Sequence, residues 1–394
     1  MKRMVVRVKC AIGRFVSEAY RCWKEEYRVV FGSIEMMVFF FLLPCAYPIL
    51  YALIYNPEEV REVPVVVVDN DGSELSRTLV NDFDATPAAS VVGYCSDASE
   101  ARRYMMQRRC YALLVIPEGF DRDVIRGDEQ STVVFYIDMS LLLNYKTLYM
   151  ALTDVTMALG GKIRQERLPI GVSQSLTDIV SNPIPYASVV MFNPTSGLAS
   201  FLIPAVLILI LQQSVILGLS VRAGRACEKK EPLFTPHDIM AQMCGRAICY
   251  LSLYLINVVY LTHFIPWLFH YPMMGNSYAI IVFTFPMVVA SIFMAMSLSM
   301  LVREQEDGYM MFVFTSVMML FLSGIAWPRY AMPLAWKCVA SLLPSTWGIK
   351  GYIQMSTMGA TLSQASESYV MLWVLSLFYF ILTYVLLKLQ QRKH

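Results

Sequence analysis

Residues 36–55 read MMVFFFLLPCAYPILYALIY, without one charged side chain. A helix needs roughly 20 mostly apolar residues to cross a bilayer, so this stretch predicts one membrane crossing. Residues 56–197 are largely polar, and the apolar density then returns in five blocks near 198–220, 245–269, 278–302, 308–327 and 369–387. One crossing, a long polar interruption and five further crossings predict a polytopic α-helical membrane protein with six transmembrane helices and an inserted extracytoplasmic α/β domain. The chain divides accordingly into a leader (1–35), the first crossing (36–55), the inserted domain (56–197) and a membrane block (198–394).

Charge places these parts. Only 16% of the residues are charged, against about 25% in an average soluble protein. The small net charge hides a segregation: residues 56–197 hold 12 Lys and Arg against 19 Asp and Glu, whereas the rest carries a basic excess. That excess follows the membrane portion, and no nucleic-acid partner is expected. The leader has eight cations (Lys2, Arg3, Arg7, Lys9, Arg14, Arg21, Lys24 and Arg28), and the 221–246 loop adds Arg222, Arg225, Lys229, Lys230 and Arg246. The loop at 270–277 has no cation. Lys and Arg near crossings mark the cytoplasmic side, so both termini are expected inside and residues 56–197 outside. The leader is longer than a signal peptide's basic region, and no small-x-small site follows the apolar run, so the first crossing is expected to be retained.

In the leader, Phe15, Ala19, Cys22, Trp23, Tyr27 and Val30 share a helical face over 14–31, opposite Arg14, Glu18, Arg21, Lys24, Glu25 and Arg28. That pattern suits a helix in the headgroup layer, with membrane lipids as its partner, or one packed on a protein. Pro44 and Pro48 predict a kink in the first crossing, with freed carbonyls for a neighbouring helix to satisfy. In the inserted domain, strands are expected at Val63–Val68, Ser90–Cys95, Tyr111–Ile116 and Thr132–Ile137. Helices are expected from Ser73 to about Asp82, at Ala98–Arg108 and Phe120–Arg126, and from about Leu141 to Arg167. Strands separated by single helices predict an α/β layer that is at least partly parallel. Asp69, Asp71 and Glu74 read as a turn and helix cap, because the glycine spacing and final Glu of a calcium loop are missing. Cys95 and Cys110 are expected as free thiols, with a bond between them as the alternative, and the prolines of 168–197 predict an irregular return to the membrane.

The chemistry is defined largely by what is missing. There is no GxxxxGK[ST], GxSxG or HExxH, and the nine cysteines include no C-x-x-C pair. No enzyme and no metal site on this chain is expected. The cores of the six predicted crossings hold no Asp, Glu, Lys or Arg, which disfavours ion-coupled transport by this chain alone. Their deepest polar groups are Gln212, Gln213 and Asn257, which serve either as glue between helices or as contacts along a substrate path. A methionine cluster that includes Met294 and Met318 is either lipid-facing filler or an adaptable surface for apolar ligands. In the loop after the second crossing, Thr235 can cap a short amphipathic helix near 236–244, with Pro236 in its first turn and Asp238 near its positive end. Thr235, His237, Asp238 and Met240 are the candidates for contact with a partner there. Residues 331–350, interrupted by Pro333, Lys337 and Pro344, predict an outer re-entrant or surface segment.

Several stretches resemble the permease subunits of ABC-2-type bacterial exporters, in the subgroup with a large periplasmic insertion after the first crossing. They are VPVVVVDNDGSELSR at 63–77, Phe192-Asn193-Pro194, LSGIAWP at 322–328 followed by Met332-Pro333, and LPSTWG at 343–348. Their order and spacing run through nearly the whole chain. The pattern departs at Glu228-Lys-Lys-Glu231, where the family usually carries an acidic Glu-x-Glu-like run.

The resemblance implies a bacterial inner-membrane permease that pairs with a second permease chain, identical or a paralogue. A separate ABC ATP-binding subunit would hold ATP and Mg, so no cofactor sits on this chain, and it would dock on the 236–244 helix and the leader helix. A periplasmic adaptor and outer-membrane channel are further partners of such systems. The leading expectation is export of hydrophobic or amphipathic small molecules, as in drug efflux. Its rivals are export of a lipid-linked or polysaccharide substrate, and a membrane receptor or scaffold with no ATPase.

Overall fold

The computed structural model describes residues 2–55, 60–126, 131–166, 192, 197–231, 233–235 and 238–391. The chain forms two compact units, one from Met1–Glu58 with Val190–His394 and one from Glu59–Val189.

The first unit is helical. Helix α1 (Lys2–Phe31) extends the expected leader helix toward the N-terminus. Among the described residues, five helices are long and apolar enough to cross a membrane: α2 (Ile34–Ile54), α7 (Leu198–Glu228), α8 (Ile239–Leu268), α9 (Ser277–Ser299) and α13 (Ser366–Gln391). The remaining expected crossing, fifth in chain order, contains α10 (Gln305–Leu322), whose first turn carries Glu306 and Asp307. Glu304 and Asp307 close a reciprocal cap at its start. Past Leu322, Gly324 turns the chain at a φ of 90°, so the helix stops short of the expected 327.

Helix α7 is the axis of this unit, with 94% of its most apolar window buried. Glycine lets α10 come close to it: a Cβ on Gly224 would lie 2.4 Å from the Glu304 carbonyl oxygen, and one on Gly308 would lie 2.9 Å from the Val221 nitrogen. Outside the span cores, the expected re-entrant segment 331–350 is two helices, α11 (Leu334–Ser341) and α12 (Pro344–Ser356). Helix α12 is buried along most of its length, and the Trp347 indole N–H donates to the Ser341 carbonyl at 2.9 Å.

The second unit holds a four-stranded sheet in the order β2 (Ala89–Tyr94), β1 (Val63–Asp69), β3 (Ala112–Ile116), β4 (Val134–Ile137). Strand β1 pairs in parallel with β2 and β3, and β4 runs antiparallel to β3. Because side chains alternate across a strand, β1 feeds two cores. Val63, Val65 and Val67 pack with α3 (Glu74–Asp84), α5 (Phe120–Arg126) and α6 (Leu142–Glu166), through residues such as Phe83, Phe120 and Leu148. Val66 and Val68 pack with Ala101 of α4 (Ala98–Met106) and with Cys110.

Turn chemistry fixes the C-terminal edge of β1. Asp69 accepts the N–H groups of Asp71 and Gly72 at 3.1 and 3.0 Å, and the Ser76 hydroxyl at 2.8 Å. Ser73 caps α3 by accepting the Ser76 N–H at 3.1 Å. Asp71 reaches across to the loop after β3, accepting the Gly119 and Asp121 N–H groups at 2.9 and 3.2 Å. Cys95 and Cys110 are unbonded thiols. The expected irregular return at 168–197 lies outside the described residues, apart from Phe192 and Gly197.

Candidate functional site

The polar groups expected along a substrate path separate into two places. Gln212 and Gln213 are buried on α7, and both side-chain amides donate to the sulfur of Met319 on α10, at 2.9 and 3.1 Å. The Thr315 hydroxyl donates to Gln213 Oε1 at 3.4 Å, while Gln212 Oε1 has no partner among the described residues. Met319 is thus the methionine that meets the glutamines; its neighbour Met318 is exposed, and Met294 lies in the core on α9.

Asn257 is occupied elsewhere. Its amide donates at 2.9 Å to the carbonyl of Phe40, in a π-helical turn of α2 at Val38–Leu42. In an α-helix the donor to Phe40 would be residue 44, and Pro44 has no N–H to give. The Tyr260 hydroxyl donates to the next turn, at the Cys45 carbonyl, at 2.9 Å. The carbonyl that Pro44 frees in the first crossing is therefore satisfied by α8, as intramembrane backbone must be.

At the other set of candidates, the first described helix after Thr235 begins at Ile239 and runs unbroken to Val259, so 239–244 is the opening of α8 and no separate short helix appears among the described residues. The expected cap is also displaced. Asp238, at a φ of 52°, precedes the helix without a side-chain capping bond. Thr235 is held by other partners: its N–H donates to Gln242 Oε1 at 2.9 Å, and its carbonyl accepts from Gln391 of α13 at 3.0 Å. Gln242 reaches back from α8 and occupies the groups that Thr235 would use as a cap. Asp238 and Met240 are exposed, and His237 lies outside the described residues.

Next to this loop the structure assembles a charged cluster that reading the crossings for intramembrane charge does not find. Glu26 of α1 is buried, with its carboxylate between two arginines. Arg222 Nε of α7 donates to Oε2 at 3.4 Å, and Arg246 Nε of α8 lies 3.2 Å from Oε1, an ion-pair distance without hydrogen-bond geometry. The Tyr250 hydroxyl donates to Oε2 at 3.1 Å, and the Arg246 guanidinium lies 4.5 Å above the Phe234 ring. One carboxylate thereby ties α1, α7 and α8 together. A cleft of about 360 Å³ opens over the cluster, lined also by Glu25, Arg28, Glu231 and Leu233. The sequence carries a signal for it: Glu26 is four residues from both Cys22 and Val30, on the buried stripe of α1. Close backbone approach seats that stripe, since a Cβ on Gly245 would lie 2.2 Å from the Ala19 carbonyl oxygen.

Among the described residues no group of three or more His, Cys, Asp or Glu is placed to hold a metal ion. A comparison with curated proteins finds no significant match. The profile of the ABC-2 family of transporter proteins matches residues 34–385, from the first crossing into the last. With nearly its whole length so matched, this multi-pass membrane protein belongs to the ABC-2 transporter family, the membrane permeases that work with an ABC ATP-binding subunit.

Proposed function

We propose that the chain is the permease half of an ATP-driven exporter that moves hydrophobic or amphipathic small molecules from the cytoplasm or inner leaflet of a bacterial inner membrane. On this reading α10 also crosses the membrane, as the fifth of six helices, both termini are cytoplasmic, and residues 56–197 form a periplasmic domain that gates release or meets an adaptor. The close packing of α10 on α7 supports this crossing, because its acidic first turn lies at the basic end of α7, where Glu228 accepts the Gln305 N–H at 2.8 Å. Two permease chains, identical or paralogous, form the transport unit, and the partner subunit binds and hydrolyses ATP with Mg.

The observation that carries this reading is that one helix, α8, carries Arg246 of the Glu26 cluster and starts at the exposed Asp238 and Met240. A partner pressing on the start of α8 moves Arg246 with it, and Glu26 passes that movement to α1 and α7. Chemistry on one chain would thus reach the crossings of another without a nucleotide motif here.

The test joins pull-down with transport. Full-length protein should retain the cognate ATP-binding subunit, D238K should weaken that association, and deleting the chain should raise accumulation of an amphipathic dye. Unchanged accumulation on deletion would overturn the export reading. Absence of any co-purifying ATPase would favour the receptor or scaffold.

A further inference from the structure

The Glu26 cluster is unevenly charged. One carboxylate faces two guanidiniums, so the floor of the cleft keeps one net positive charge. Arg246 is nine-tenths buried, and its Nη1 has no acceptor among the described residues. An arginine cannot shed its charge, and a buried charged donor left unpaired is among the costlier defects in a fold. The exposed rim has the opposite balance, with Glu25 and Glu231 against Arg28, and Glu25 also has Arg21 at 3.7 Å. Val29, Ala226 and Leu233 complete the lining with apolar surface.

The depth of the cleft comes from α1, which forms one wall. Rings run along that helix from Tyr20 to Trp23, Tyr27 and Phe31 and on to Phe41 of α2, with centroids 4.7 to 5.7 Å apart. Tyr20 and Phe31 remain half exposed or more. Aromatic belts of this kind sit at headgroup level. That placement rests on the membrane reading of α1 given above.

We propose that this cleft binds a zwitterionic phosphate ester, with the phosphate on Arg222 and Arg246 and a primary ammonium against Glu231 and Glu25, as a phosphoethanolamine lipid headgroup presents. The positive floor, where Arg222 and Arg246 line the cleft, takes the phosphate. The acidic rim takes the ammonium, whose N–H donors a choline headgroup lacks and whose charge a glycerol headgroup lacks.

Thermal unfolding of the full-length protein, with no ATPase subunit or nucleotide present, tests this proposal and leaves the transport reading untouched by its failure. Protein would be compared in nanodiscs of phosphatidylcholine alone and with phosphatidylethanolamine or phosphatidylglycerol added. Free phosphoethanolamine and inorganic phosphate would be titrated in detergent. The expected result is a Tm several degrees higher with phosphatidylethanolamine than with either other lipid, through preferential binding to the folded state. That gain should vanish in the rim variant Glu25→Gln/Glu231→Gln, which leaves the buried ion pairs intact, and in Arg246→Gln where it folds. A matching shift with free phosphoethanolamine assigns recognition to the headgroup alone, and a shift in nanodiscs only adds the acyl chains; both support the site. Equal Tm in all three lipids, a phosphatidylethanolamine effect that survives the rim variant, or an equal response to phosphatidylglycerol and inorganic phosphate would overturn it.

Discussion

The amide nitrogen of Asn257 lies 2.9 Å from the carbonyl oxygen of Phe40, the backbone acceptor that Pro44 leaves without its helical donor. This bond joins the first and third crossings at a point where water cannot replace it. Asn257→Ala should therefore cost about 1 kcal/mol, the scale of interhelical hydrogen bonds in membranes. Thermal unfolding in detergent should show the lower Tm, and the spectrum of transported compounds should not change. Altered selectivity at an unchanged Tm would make Asn257 a cargo ligand instead.

Glu26→Ala should be far more damaging. It leaves Arg222 and Arg246 buried without their shared counter-charge, and breaking such a pair from one side costs about 3–5 kcal/mol. A variant that also replaces Arg246 with Met should recover part of the loss. Expression level and Tm together measure both effects, and equal Tm for the single variant and the unaltered protein would contradict the geometry.

Gly245→Ala tests the seat of α1 without touching charge. The added methyl would lie 2.2 Å from the Ala19 carbonyl oxygen, and backbone cannot swing aside as a side chain can. Overpacking of this kind costs about 1–3 kcal/mol. Cysteine pairs engineered between α1 and α8 should cross-link more slowly in the variant, and an unchanged rate would show that the helices have room to spare.

In the inserted unit, the Ser73 hydroxyl and the backbone N–H groups of Asp121 and Gly119 hold the Asp71 carboxyl below its ordinary pKa. The folded state thus favours the ionised form. Its contribution is present above the unfolded-state pKa and is lost as pH falls through the lower folded value, below about pH 4. Asp71→Asn should lower stability at neutral pH and flatten that acid limb. Hydrogen exchange of the Gly119 and Asp121 amides between pH 3 and 7 reads the effect at the bond itself.

These sites show how far the order of residues carries. Val63–Asp69 and Phe120–Arg126 match their sequence expectations within a residue, because a β-branched run ending in Asp-Asn-Asp-Gly-Ser and a glycine before a helix are local signals. The direction of β4 is not local. Among its described residues the connection from β3 contains seven helical ones, at Phe120–Arg126, about 10 Å of helix, and an antiparallel return needs no long crossover. The Glu26 cluster escaped for another reason. Hydropathy looks for charge in the middle of crossings, whereas this carboxylate sits on the leader helix and its arginines near the ends of α7 and α8. Only the packing of three helices shows that their solvent is protein. Thr235 is a similar case: its local context predicts a cap, and Gln242 and Gln391 take its backbone instead.

Gln212 is fully enclosed, and both it and Gln213 donate from their amides to one thioether of α10. As the chain stands, no cargo can touch them. If these glutamines serve transport, the cycle must include a step that unzips α10 from α7, and a departing molecule would take the place of Met319 rather than enter an open pore. The seam would then be both latch and binding surface, shut by the sulfur that imitates the passenger.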